Sequence, residues 1–324
     1  MVGFESVFIV EWYHTYTMVV TLTGTNDFAR QAALRKLVAD FIAEHTDMAV
    51  ERLDGEESSA DRMRESANSL PFLTARKLSV LREPSKQKAF AEHIGDVLKD
   101  VADTTDLIIV EPKLDKRGTY YKTLKKDTDF REFNDLDGNG LASWAAGYAS
   151  EQGGTLSAGD ARVLVDRVGP NQQLLAAELG KLLAYDPHIT RQSIELLVEP
   201  MPQSTIFELL DAAFAGKTAY AMQLYREQRA LKVEPQAIIA MLAWQIHILA
   251  MVASGAPRTA DDIARQAKLN PYVVRKSQGL ARTLGLPRLA TMLSQLLALD
   301  RRLKSVSIDA DEALQLFLLQ LAIR

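Results

Sequence analysis

A chain of 324 residues exceeds one typical core and predicts two or three domains. Hydrophobic residues at 47% and charged residues at 25% are globular values, which excludes wholesale disorder and the fibrous classes. A net charge of −4, from 38 basic and 42 acidic residues, excludes a protein that coats nucleic acid by bulk charge, and the lack of cysteine excludes disulfides, a thiol nucleophile and Cys-based zinc sites.

In residues 1–17, Glu5, Glu11 and His14 interrupt the apolar stretches, and there is no basic start or small-residue cleavage site. The segment reads as neither a signal peptide nor a membrane span, and is expected to be an extension ahead of a domain that begins at Met18. From Met18 strands and helices alternate, which predicts a largely parallel sheet covered by helices. Val19–Leu22 is the first strand. Gly24-Thr-Asn-Asp27 turns the chain, with Asn26 or Asp27 as N-cap, and Phe28, Leu34, Leu37, Val38 and Phe41 mark a helix to about Ala43. Val50–Leu53 is a second strand and Asp61–Asn68 a polar helix.

Next comes Ser69-Leu70-Pro71-Phe72-Leu73, where Pro71 stops the helix and pushes Leu70 toward extended geometry. Two readings stand side by side: Leu70, Phe72 and Leu73 form an exposed knob for a partner, or they fold back into the core at a helix-to-strand turn. Lys77–Leu81 is the following strand, and Phe90, Ile94, Val97 and Leu98 mark one further helix. Leu107–Val110 is a continuous apolar run with acidic Glu111 at its exit, as expected of a central strand buried on both faces. A short last strand covers about Asp129–Phe133.

Beyond Asn134 the strand signals fade, and Asp135-Leu-Asp-Gly-Asn-Gly140 reads as a linker. Helices are expected over Leu141–Glu151, Ser157–Val168, Asn171–Tyr185 and Thr190–Leu197 as one compact group. Past Pro200 and Pro202 a larger helical domain follows: Ile206–Ala215, Lys217–Arg229, Pro235–Ala253, Thr259–Ala267, Pro271–Thr283, Pro287–Leu303 and Asp309–Ala322.

The loop after the first strand is where such a domain would cradle phosphate, yet Gly24-Thr-Asn-Asp-Phe-Ala29 has no Gly-Lys-Ser/Thr, and Asp27 lies where an anion would approach. Glu111 reads as a solvent-facing acid or a cap sooner than a catalytic group. His14, His45, His93, His188 and His247 are scattered without metal-ligand spacing. Two basic clusters stand out: Lys113, Lys116, Arg117, Lys122, Lys125 and Lys126, and the stretch from Arg258 to Lys304, with ten basic residues against Asp261, Asp262 and Asp300. They read as solvated helical faces, or as patches for a phosphate backbone or an acidic partner.

Taken together, several stretches resemble the delta subunit of the bacterial DNA polymerase III clamp loader, from about Met18 to the C-terminus. They are Leu22-Thr-Gly24 with Phe28, the knob Leu70-Pro-Phe-Leu73 followed by Arg76, and Leu107-Ile-Ile-Val110 running through Glu111 to Arg117. Val168-Gly-Pro-Asn171, Glu178-Leu-Gly-Lys-Leu182 and Leu299-Asp-Arg-Arg-Leu-Lys304 complete the set. The resemblance implies an α/β AAA+-like domain with a degenerate nucleotide site (18–136), a small helical lid (137–203) and an all-α helical collar (204–324). It implies a clamp-binding site at Leu70, Phe72 and Leu73, with Pro71 a departure from the family's form, and no catalytic, cofactor or metal residues. The implied partners are the sliding clamp, the gamma/tau and delta-prime subunits of a heteropentameric loader, and primed DNA within that complex. No membrane is expected, and the implied setting is the cytoplasm, as part of the DNA polymerase III holoenzyme. The rivals are an active AAA+ ATPase, which a nucleotide-binding assay separates, and a stand-alone DNA-binding helical protein, which steep salt dependence would favour.

Overall fold

The computed structural model describes residues 17–72, 74–255 and 258–322, in two units that part between Asp135 and Leu136. The expected extension, but for Thr17, and the knob residue Leu73 lie outside the described residues.

The first unit is built on five strands: β1 (Val19–Thr23), β2 (Val50–Asp54), β3 (Lys77–Arg82), β4 (Thr105–Glu111) and β5 (Asp129–Glu132). They pair in the order β2-β3-β4-β1-β5, every pair parallel. All of β4 is buried, which agrees with its central place and its unbroken apolar run. Because side chains alternate along a strand, Ile108 and Val110 face one way and pack with Leu34, Val38 and Phe41 of α1 (Asp27–Glu44). Leu107 and Ile109 face the other way, against Met63 and Ala67 of α2 (Ala60–Asn68), Phe90 of α3 (Lys88–Glu92), Ile94 and Val97 of α4 (Ile94–Lys99), and Leu124 of α5 (Thr119–Asp127).

One expected helix needs correction, and one helix was not foreseen. The single helix expected around Phe90–Leu98 is two short ones parted at His93, whose ring nitrogen Nδ1 bonds the Ala89 carbonyl at 3.0 Å and so competes with the helical ladder. Helix α5 went unread because its apolar residues are few among lysines.

The second unit is helical, with α6 (Gly138–Glu151), α7 (Ala158–Val168), α8 (Gln172–Tyr185) and α9 (Arg191–Leu197) around one buried cluster that includes Leu141, Leu164, Leu179 and Ile194. The expected linker is in part the start of α6: Asp137 is its N-cap, with Oδ1 accepting from Gly140 N at 2.7 Å, so Gly138–Gly140 form the first turn. Thr155–Leu156 and His188–Ile189 form a two-residue parallel pair, β6 and β7, too short to read from sequence.

A second cluster joins α10 (Pro202–Phe214), α11 (Thr218–Ala230), α12 (Pro235–Gly255), α13 (Ala260–Ala267), α14 (Pro271–Ser305) and α15 (Ala310–Ala322). Helix α12 is long and apolar enough to cross a membrane, but Ile238, Leu242, Ile246 and Leu249 are buried in this cluster, which accounts for its composition. The two helices expected on either side of Gly285 run on as α14 with a kink, where Gly285 takes φ 69°, ψ 161°, a region open to glycine alone, and Pro287 follows. The α/β unit on a parallel sheet followed by a helical region, as the resemblance implies, is the architecture observed.

Candidate functional site

The loop after β1 is closed upon itself. Gly24 takes φ +113°, and a Cβ there would lie 1.9 Å from the Phe133 carbonyl oxygen, so only glycine lets the loop pack against the chain leaving β5. Asn26 N donates to that same carbonyl at 3.0 Å, while its side chain caps α1 by accepting from Ala29 N at 3.0 Å. Arg30, nearly buried, turns its guanidinium back onto the Gly24 carbonyl and the Asp27 carboxylate. A cation and an amide that a phosphate would need are thereby committed within the loop. Sequence reasoning found the missing lysine but not Arg30; its one signal was the Asp27–Arg30 spacing on the first helical turn.

Glu111 is not solvent-facing. It is 1% exposed; Oε1 accepts from Ser85 N at 2.9 Å and Tyr120 Oη at 3.0 Å, and Oε2 from Ser85 Oγ at 3.0 Å. The cap reading holds in part, since Ser85 N belongs to the 3-10 turn Pro84–Lys86. Burial raises the carboxyl above its ordinary range, against the lowering effect of these hydrogen bonds. The group ties β4 to the turn after β3 and to α5.

At the opposite end of the sheet, α2 ends on Ser69, and the local alternatives for the apolar run separate. Leu70 is 75% exposed and Phe72 87%, so neither folds back into the core. The segment's root is nevertheless fixed. The Ser69 carbonyl accepts from Thr105 Oγ1 at 3.2 Å, its hydroxyl accepts from Lys77 Nζ at 2.8 Å, and Ala102 N donates to the Ala67 carbonyl at 3.2 Å. On the far side Arg76 donates to Asp106 Oδ1 at 2.7 Å and to the Asp103 carbonyl at 3.2 Å. Below lies a polar network: Glu51 pairs with Lys77 at 2.8 Å and with Arg62, and accepts from Ser66 Oγ at 2.7 Å. Burial alone would raise Glu51, but the hydrogen bonds from Lys77 and Ser66 and the Lys77 and Arg62 charges outweigh it and hold the carboxyl below its usual range.

Both basic clusters lie on the surface, and several of their side chains are paired with carboxylates. Lys116 pairs with Glu132 at 2.8 Å and Arg117 with Asp115 at 3.3 Å. In the second cluster Arg275 bonds Asp137 and Asp261, Lys276 lies 3.6 Å from Asp166, and Lys304 bonds Asp300 at 2.7 Å. Among the described residues no group of three or more His, Asp and Glu side chains is placed to hold a metal ion.

Comparison with known proteins gives a consistent result. Residues 21–134 match the family model for the DNA polymerase III delta subunit, and residues 203–321 match that for the C-terminal domain of the same subunit. The chain is 24% identical over 320 residues to DNA polymerase III subunit delta of Bacillus subtilis (strain 168), covering 94% of this chain and 92% of that one. Its fold is similar to the solved structure of the B. subtilis DNA clamp loader delta protein (YqeN), with a TM-score of 0.79 at 23% identity over 95% of this chain and 96% of that one.

Proposed function

Because the chain belongs to the DNA polymerase III delta subunit family, we propose that it binds the ring-shaped sliding clamp and opens it for loading onto primed DNA. The observation that carries this reading is the apolar knob: Leu70 and Phe72 stand in solvent on a segment whose root is hydrogen-bonded to the sheet. A soluble surface holds such side chains out at a cost unless a partner covers them. Each of Phe72 and Leu73, once seated in a clamp pocket, would contribute roughly 1.5–3 kcal/mol, the scale of a hot spot. If the knob fits the opened ring better than the closed one, that difference in affinity shifts the clamp toward opening.

In this reading residues 18–136 form the clamp-binding domain, 137–203 the lid, and 204–324 the collar that joins gamma/tau and delta-prime subunits in a pentamer. DNA is contacted inside that complex, in the cytoplasm. The closed loop at Gly24–Arg30 supports a subunit that takes no nucleotide of its own and acts by binding. In the second basic cluster Arg275, Lys276 and Lys304 are paired with carboxylates, which lessens the charge open to a phosphate backbone and weighs against a stand-alone DNA-binding protein.

The test is the double change Phe72→Ala with Leu73→Ala in the full chain. Affinity for the cognate clamp should fall by at least about 2 kcal/mol, close to thirtyfold, with unfolding free energy unchanged. Unchanged affinity in a folded variant removes the knob from clamp binding.

A further inference from the structure

In the first unit three large apolar side chains are mostly in solvent among the described residues: Met48, Leu70 and Phe72. Met48 is more than twenty positions from the knob in sequence, yet all three line one cleft of about 590 Å³, together with Ala49, Val50 and Pro71. Met48 is held outward by its surroundings. It sits in the 3-10 turn Asp47–Ala49, capped by the Thr46 hydroxyl, and the next residue, Ala49, is buried in the core beside α1. With Ala49 fixed inward, the turn leaves Met48 83% exposed.

The charged side chains on the cleft are already neutralised: Arg62 and Lys77 both pair with Glu51, and Arg62 also pairs with Glu65 at 3.0 Å, two cations against two carboxylates. A phosphate backbone finds no uncommitted cation among these four, whereas an apolar protein surface meets three apolar contacts around a neutral floor. A thioether on an unbranched chain suits an irregular partner surface, since its rotatable bonds let it follow what it meets.

We infer that Met48 is a third anchor for the sliding clamp, gripping apolar clamp surface next to the pocket that takes the knob, so that the docking surface spans two loops and the cleft between them. This rests on the knob reading, and its test is chosen so that the two can fail separately. Full-length chains carrying Met48→Ala, Met48→Leu, Phe72→Ala or, as a control on an exposed apolar residue of the second unit, Leu196→Ala are titrated against immobilised cognate clamp, with thermal unfolding of each variant measured alongside.

Met48→Ala should weaken binding about fivefold to tenfold, Met48→Leu should stay within about twofold, and Phe72→Ala should weaken it more than about tenfold. Leu196→Ala should change nothing, and all four midpoints should match the parent chain. If Met48→Ala binds as the parent does while Phe72→Ala fails to, the third anchor is refuted and the knob stands. If Phe72→Ala also binds as the parent does, the knob reading falls and takes this inference with it. A lowered midpoint for Met48→Ala would show a packing role and overturn the assignment.

Discussion

Glu111 ends β4 with both oxygens occupied and its charge shut away from water, while Glu51 on β2 stands between two cations. The folded state raises Glu111 above the ordinary 4.5 and lowers Glu51 below it. For Glu111 the native protein therefore binds its proton more tightly than the unfolded chain does, and stability falls as pH rises from 4.5 through the raised value. For Glu51 the contribution is present above 4.5 and is lost as pH falls through the lowered value. Urea unfolding at about pH 3, 4.5, 6 and 7.5 should then show opposite slopes. Glu51→Gln should be less stable than the parent near neutrality, with a deficit that shrinks toward the acid end. Glu111→Gln should gain on the parent as pH rises. Parallel curves for both variants would contradict the environments described here.

At the level of the element, the loop after β1 depends on a single glycine. Gly24→Ala introduces a Cβ into the Phe133 carbonyl and a side chain at φ +113°, and should cost about 3 kcal/mol or more in urea unfolding. A loss under about 1 kcal/mol would mean that the loop relaxes freely. This close approach could not be read locally, because Phe133 is more than a hundred residues away. What periodicity carries, it carried well: the five strands, a cap at Asn26 or Asp27 that resolves to Asn26, and the start of α14 at Pro271 follow from residue patterns. Features decided by geometry were hidden, such as the break at His93, the polar α5 and the first turn of α6 inside an apparent linker. The candidate site divides the same way. Sequence named Leu70 and Phe72 but left their exposure open, since a Pro-bounded apolar run suits both a knob and a core turn, and Met48 had no signal beyond an apolar residue in a polar turn.

On the scale of the whole molecule, the second unit holds two buried clusters, and Tyr272 packs against both. Its hydroxyl donates to Asp166 at 2.8 Å, with Arg275 bonding Asp137 one turn further on. Arg275 is 43% exposed, so Arg275→Ala should cost under about 1 kcal/mol. Tyr272→Ala removes a ring shared by two cores and should cost about 2–4 kcal/mol in urea unfolding. The reverse order would show that the ion pairs, not the ring, hold the two helical groups together. In the first unit, if the knob docks as proposed, the bonds that fix Ser69 and Arg76 bear on how tightly and how long a partner stays. A segment already set in its docking course surrenders little rotational freedom on association, so more of the gain from burying Phe72 remains as affinity. Cutting the tie from Lys77 with Ser69→Ala would leave Met48, Leu70 and Phe72 in place and should still shorten the lifetime of the bound state, because the freedom regained on release would favour departure.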